Sequence, residues 1–463
     1  MSRLREKQLA FQAMTASPTT PATKVARGGA LAFVIFFAGA GLTYVSQIVI
    51  ARIVGATSYG SYTYALAWLT LLAYVAALGF DVALLRFVPA YRAQRQIGLM
   101  LGVVRFAERS VVGAGVILAA VGSGAVLVLG QRIEPELRNT FLIGFPLVPI
   151  LALTWIRAAV LRSNDLVALP LVSSLIVRDG LLTLLIILAG VGLGWRLDAR
   201  FVMLAMVAGS GCGLGLASLA KRRLPVFAQT GVAEIYKPKL WAHAALPLLI
   251  IGAVDLLMNR AGVLCLGWMG ETKNAGIFGL TFNIAFLVAI PRTALNTLFA
   301  PAVSKLHDGK DHDHLQHLIG RSTLWAVCTA AAVAVGIFLL SDVLFGWFGP
   351  DFSAGLPALK ILLIGQVLIA GAGSQLTIMT MTGHERSAAL LIIIGGIINL
   401  VATVVLSRWF GMAGAAMASV ASVLIWNGLM AVVIWRRLRL LPGLLALWPR
   451  PFTPELRVRS EGV

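Results

Sequence analysis

Gly28-Gly-Ala-Leu-Ala-Phe-Val-Ile-Phe-Phe-Ala-Gly-Ala-Gly-Leu-Thr-Tyr-Val-Ser-Gln-Ile-Val-Ile-Ala51 runs for 24 residues without a charge and is closed on either side by Arg27 and Arg52. A helix needs about 20 predominantly apolar residues to cross a bilayer, so this run is long enough to span. It is too long for the core of a secretory signal, and the polar stretch before it carries Arg3, Arg5, Lys7 and Lys24. Beyond Arg52 the pattern repeats over 53–80, 110–131, 139–156, 166–195, 201–220, 240–270, 274–300, 322–341, 361–383, 387–407 and 409–435, which makes twelve runs.

Composition agrees. Of the 463 residues 59% are hydrophobic and 12% charged, against about 25% charged in a soluble domain. The sequence predicts an all-α, polytopic membrane protein of twelve transmembrane helices. The 38 basic and 19 acidic residues leave a net charge of +19. In a soluble chain that excess would suggest nucleic acid. Here the basic residues fall in short segments between apolar runs, as determinants of topology, and no nucleic-acid partner is expected. Assigned to alternating sides, 27 fall on one side and 8 on the other, leaving Arg178, Arg260 and Arg292 inside spans. The asymmetry places both termini in the cytoplasm.

The runs form two sets of six. Pro89 and Pro301 lie near the ends of the second and eighth runs, Asp165 and Glu385 precede the fifth and eleventh, and Arg222 and Arg436 follow the sixth and twelfth. Gly60-Ser-Tyr opens the second run much as Gly276-Ile-Phe opens the eighth. Such anchors indicate two pseudo-symmetric six-helix bundles entering the membrane from the same side, with a cleft between lobes that rock to expose it alternately. The expected organisation is a cytoplasmic N-terminal tail over 1–27, an N-terminal lobe over 28–221, a cytoplasmic linker over 222–239, a C-terminal lobe over 240–437 and a cytoplasmic tail over 438–463.

Ionisable groups inside spans cost about 2.5–3.5 kcal/mol on insertion scales, so they face water or a partner. The candidates are Arg178 and Asp179 in the fifth run, Asp255 and Arg260 in the seventh, and Arg292 after Pro291 in the eighth, with Arg86 near a span end. Asn259 adds an amide one helical turn from Asp255. An arginine fork suits phosphate, so Arg86, Arg178, Arg260, Arg292 and Asn259 are candidate cavity-lining groups for an anionic headgroup. The competing reading pairs Arg178 or Arg260 with Asp179 or Asp255 as a helix lock. Asp255 and Asp179 are also candidate ion-coupling carboxylates.

The histidine-rich stretch from His307 to His317 lacks regular ligand spacing and reads as a solvated loop, so no metal is expected. Cys212, Cys265 and Cys328 read as small core residues, and Tyr59, Tyr62, Tyr64, Trp195, Trp268, Trp347 and Trp409 as interface anchors. No phosphate-cradling G-x-x-x-x-G-K-[ST] run is present, and no loop is long enough for a catalytic domain. No cofactor is expected, and the chain reads as a transporter and not an enzyme.

Arg52-Ile-Val-Gly-Ala-Thr-Ser-Tyr-Gly-Ser-Tyr62 and Leu78-Gly-Phe-Asp-Val-Ala-Leu-Leu-Arg-Phe-Val-Pro-Ala-Tyr91 resemble the start of polysaccharide flippases. Met381-Thr-Gly-His-Glu385, Ile398-Asn-Leu400 and Phe410-Gly-Met-Ala-Gly-Ala-Ala416 resemble their C-terminal half. The resemblance covers about residues 25–437 and points to the O-antigen flippase-like exporters of the multidrug/oligosaccharidyl-lipid/polysaccharide superfamily. It implies a V of two bundles, alternating access, and transfer of a polyprenyl-diphosphate-linked oligosaccharide to the outer leaflet of the bacterial inner membrane for lipopolysaccharide or exopolysaccharide synthesis. The implied partners are the lipid-linked oligosaccharide, bilayer lipids, a polysaccharide polymerase and glycosyltransferases. Arg86 alone falls within one of these motifs. The alternatives are a cation-coupled multidrug antiporter of the same fold, which should line its cavity with acid, and a lipid II flippase, which usually has fourteen spans.

Overall fold

A computed structural model of the protein describes residues 21–130, 132–164, 166–224, 227, 233–309 and 311–447. The expected N-terminal tail lies largely outside these residues, as do much of the 222–239 linker and the end of the C-terminal tail. Every regular element among the described residues is helical. Ten helical segments among them are long and apolar enough to cross a membrane, so this is a multi-pass membrane protein.

Two of the ten are double-length. The helix Pro21–Ala76 has 56 residues, about 84 Å if straight and far beyond a hydrocarbon core of about 30 Å. It is not straight. Gly55 takes φ 76° and ψ 170°, and the Tyr59 hydroxyl donates to Gln47 Oε1 at 2.8 Å. A continuous helix would hold those residues about 18 Å apart. The helix Glu385–Leu438 breaks in the same way at Gly411, with φ 54°. There Gly414 lies so close to the Leu406 carbonyl that a Cβ on it would sit 2.0 Å away. Each double-length helix is thus an antiparallel hairpin turning on one glycine. Counted as pairs of spans, the two bring the ten segments into agreement with the twelve apolar runs.

The turns also repeat. Left-handed glycines occur at Gly55 and Gly270, 215 positions apart, and at Gly194 and Gly411, 217 apart. The helix from Pro135 and the short 3-10 turn from Pro350 both start on proline, again 215 apart. This is the periodicity of the sequence anchors, carried by backbone geometry.

Several boundaries differ from the sequence reading. Residues 81–109, left between the second and third apolar runs, lie mostly in the helices Phe80–Ala93 and Ile97–Val128; charge misleads there because Arg105, Glu108 and Arg109 extend a span beyond its apolar part. The run 361–383 is interrupted at Gly373, with φ 78°. The His307–His317 stretch is not a free loop. Asp311 caps the helix His312–Leu339, accepting from the His314 backbone N–H at 3.2 Å and bonding its Nδ1 at 3.0 Å. That hydrogen bond holds the Asp311 carboxyl below its ordinary value. Tyr59, Tyr62 and Tyr64 are core residues rather than interface anchors, whereas Trp195, Trp268, Trp347 and Trp409 are exposed. Cys265 is buried, but Cys212 and Cys328 are exposed.

By its internal contacts the chain divides into two compact units, 1–252 and 253–463. The boundary falls within the helix Pro238–Trp268, so the start of that helix belongs to the first unit. It is fastened there by a short strap. The Ile235 N–H donates to the Gly98 carbonyl at 3.1 Å, Glu234 pairs with Arg105, and buried Trp241 donates to the Tyr91 hydroxyl at 3.0 Å. Gly98 and Gly102, four apart, present bare backbone to this segment; a Cβ at Gly102 would lie 2.0 Å from the Ile235 carbonyl oxygen. Beneath the strap, Glu108 accepts from Lys221 at 2.5 Å and pairs with Arg157 at 2.9 Å, tying three helices by charge.

Gly102→Ala is expected to destabilise the detergent-solubilised protein by about 1–3 kcal/mol, the cost of overpacking. Gly113→Ala, on the same helix with nothing within 4 Å of its added Cβ, should be neutral or mildly stabilising because alanine favours helix. Thermal melts of the two variants side by side check this.

Candidate functional site

The sequence-predicted site residues fall into two groups, one in each unit. In the first unit, Arg178 and Asp179 begin the helix Arg178–Ile187, directly after a π-helical segment, Val172–Val177. Gly209 and Gly213 of the helix Ala199–Arg222 let this backbone approach closely. A Cβ at Gly209 would lie 2.5 Å from the Arg178 carbonyl oxygen, and one at Gly213 would lie 2.6 Å from that of Ser173. Small residues four apart serve this purpose in membrane helices.

The Arg178 guanidinium forks onto its neighbour, Nε to Oδ1 at 2.6 Å and Nη2 to Oδ2 at 3.1 Å. The Asp179 side chain is only 4% exposed and also accepts from the Thr43 hydroxyl. Ser46 and Thr183 share a hydrogen bond beside it, and Thr183 donates to the Asp179 carbonyl at 2.7 Å. The network joins the first span to the fifth. The Arg178 charge is answered by its neighbour on the same helix, and the link to the first span runs from Asp179 to Thr43.

In the second unit, Asp255, Asn259 and Arg292 line one cavity of about 270 Å³. The helix Pro238–Trp268 supplies the first two on one face. The Asn259 amide donates to the Asp255 carbonyl at 2.9 Å and to its carboxylate at 3.3 Å. Arg292 stands at the start of the helix Ile290–Asp308, just after the 3-10 turn Leu287–Ala289 that interrupts the span. Among the described residues no carboxylate lies within ion-pair distance of its guanidinium. The cavity thus holds one guanidinium and one carboxylate that are not paired with each other.

Four further polar residues in the wall were not found from sequence: Gln366, Asn399, Ser419 and Trp426. A search for charged groups inside spans passes over neutral amides and an indole. Two of them carry buried polar atoms with no partner among the described residues, the Asn399 Oδ1 acceptor and the Trp426 Nε1 donor. Unpaired buried polar atoms cost about 1–3 kcal/mol each. Trp426 is seated by Gly395 across the Gly411 hairpin, where a Cβ would meet the Trp426 Cβ at 2.9 Å. The other two predicted residues lie elsewhere: Arg86 is exposed on the helix Phe80–Ala93, and Arg260 is half-buried and does not line this cavity.

No protein-family model matches the chain, and no curated protein matches it. Solved structures do. An inward-facing multidrug resistance MATE family transporter of the MOP superfamily aligns with a TM-score of 0.69 at 13% identity, covering 86% of this chain and 94% of that one. The lipid II flippase MurJ in an inward closed conformation aligns with a TM-score of 0.62 at 13% identity, covering 87% of each chain. The MATE multidrug transporter DinF-BH aligns with a TM-score of 0.59 at 20% identity, covering 91% of this chain and 96% of that one. At these identities the likeness establishes a shared fold.

Arg178→Met is expected to cost about 3 kcal/mol of stability, since it strands a buried carboxylate, and adding Asp179→Asn should recover at least half of that loss. Thermal unfolding of both single variants and the double variant gives the coupling; a fully stable Arg178→Met would show that the pair is no lock.

Proposed function

We propose that the protein is a flippase that moves a polyprenyl-diphosphate-linked oligosaccharide from the cytoplasmic to the outer leaflet of the bacterial inner membrane, by alternating access, for surface polysaccharide synthesis. The observation that carries this reading is Arg292, a guanidinium with no ion-pair partner among the described residues, on a cavity walled mainly by amides, aromatic rings and aliphatic side chains. Guanidinium binds phosphate oxygens through two parallel hydrogen bonds and keeps its charge at any physiological pH. Asn259 and Gln366 offer the donors and acceptors that sugar hydroxyls need, and Trp426 offers a ring.

In this proposal Arg292 holds the diphosphate, the amides read the sugar, and Asp255 takes up a proton or cation when the headgroup leaves. Arg178 and Asp179 serve as a structural lock in the first unit. The glycosyltransferases that build the carrier and the polymerase that consumes the flipped unit are the expected functional partners.

A second reading, a cation-coupled multidrug antiporter, draws equal support from the fold and from Asp255, whose carboxylate shares the cavity with Phe282 and Phe286. With one positive and one negative side chain in the wall, net charge does not choose between the two. A lipid II flippase is the third member of this set, supported by the MurJ likeness.

Lipid analysis of a deletion strain separates them. Accumulation of lipid-linked repeat units facing the cytoplasm supports the proposal. Intact surface glycan with new sensitivity to cationic dyes favours the antiporter, and arrested peptidoglycan precursors favour the lipid II reading. Arg292→Ala, expressed and inserted normally, is expected to lower complementation about tenfold or more, the worth of one lost charge-assisted hydrogen bond.

A further inference from the structure

A second concavity in the C-terminal unit, unlike the polar cavity in its lining, lies between the helices His312–Leu339 and Leu356–Ala372. It has a volume of about 370 Å³, and every residue lining it is apolar except Lys360. Ala331 and Ala334 form its floor, and Phe338, Ile364 and Leu368 its walls. Phe338, Ile364 and Leu368 are 48%, 63% and 50% exposed, so the trough opens outward from the bundle.

Its two ends differ. Lys360 lies in the first turns of its helix, and Phe338 is next to the last residue of the facing antiparallel one. Both mark the boundary of the apolar layer, where the chain turns through Ser341–Phe348 and Pro350–Gly355. From there the trough runs inward past Ile364 to Leu368, eight residues or about 12 Å along the helix axis. The Lys360 ammonium sits 5.7 Å from the Phe338 ring centroid and has no carboxylate partner among the described residues. A cation at the membrane boundary, heading an apolar trough that descends into the hydrocarbon layer, has the polarity order of a lipid.

We propose that this trough seats an acyl chain of one anionic phospholipid, with the phosphate held by Lys360. Charge complementarity selects this occupant: an ammonium at the mouth attracts an anionic headgroup, and the apolar lining below it matches an acyl chain. The inference is independent of what the protein carries.

The test is native mass spectrometry of the full chain released from neutral detergent, after titration with phosphatidylglycerol or with phosphatidylcholine of the same chains. The wild type is expected to retain one phosphatidylglycerol in preference to phosphatidylcholine. Lys360→Gln should reduce that preference about fivefold, the contribution of a single cation near a membrane surface. Ala331→Phe, which fills the floor, should reduce retention of both lipids, and Lys273→Gln, which removes a cation already paired with Asp351 at 3.0 Å, should leave the preference intact. Equal retention of the two lipids by the wild type, or an undiminished preference in Lys360→Gln, would overturn the proposal. So would displacement by a polyprenyl phosphate, or a doubled mass that Ala331→Phe abolishes, which would assign the trough to the cargo tail or to a second copy.

Discussion

Every backbone N–H and C=O that enters the hydrocarbon layer must find its partner inside the chain, because lipid offers none. That requirement governs the whole molecule. It makes the described chain helical from end to end and concentrates deviation at a few residues. Gly55 and Gly411 reverse the chain within a single residue, so tightly that hydrogen-bonded geometry resumes at once on the far side. Only glycine takes those left-handed angles at no steric cost. Further breaks inside spans, among them those at Gly79, at the Leu287–Ala289 turn and at Gly373, leave backbone and side chains irregular at depth. Such irregularity is tolerated where it is buried in protein or lines a cavity, and Arg292 follows one of these breaks directly.

The same absence of water sorts the charges. A guanidinium at depth needs an answering anion, and the two units meet that need differently. Arg178 is satisfied on the spot by Asp179, itself supported by Thr43. The result is a closed network whose interest is mechanical. Arg292 has no such partner among the described residues, and Asp255 lies on the same wall without neutralising it. One guanidinium is thus answered by a carboxylate and the other is not. This contrast ranks the candidate residues more firmly than their shared chemistry could.

Close backbone approach is the third recurring device. Lipid is as apolar as leucine, so helices in a membrane gain little from hydrophobic contact with one another and rely on tight packing. Gly209 and Gly213 bring a helix against the Arg178 backbone, Gly395 seats Trp426, and Gly98 with Gly102 admit the strap at Ala233–Tyr236. Glycine at these positions places the polar side chains rather than contributing chemistry of its own.

The sequence by itself determined the class of the protein, its number of spans and its internal period. These depend on uncharged length and on repeated punctuation, and both survive without any knowledge of contacts. It also named Asp255 and Arg292, because an ionisable group in an apolar run is conspicuous, and Asn259, because it stands one helical turn from Asp255. It missed Gln366, Asn399 and Trp426, whose neutral side chains look ordinary along the chain, and it misplaced the start of the span at Ile97 because charges there extend a helix past its apolar part. Only the tertiary structure decided which arginine has an ion-pair partner among the described residues, since that depends on a carboxylate within a few ångströms and not on position in a run. It alone brought residues from five separate helices to one cavity, because helix packing, unlike span prediction, is set by which small residues let which backbones meet.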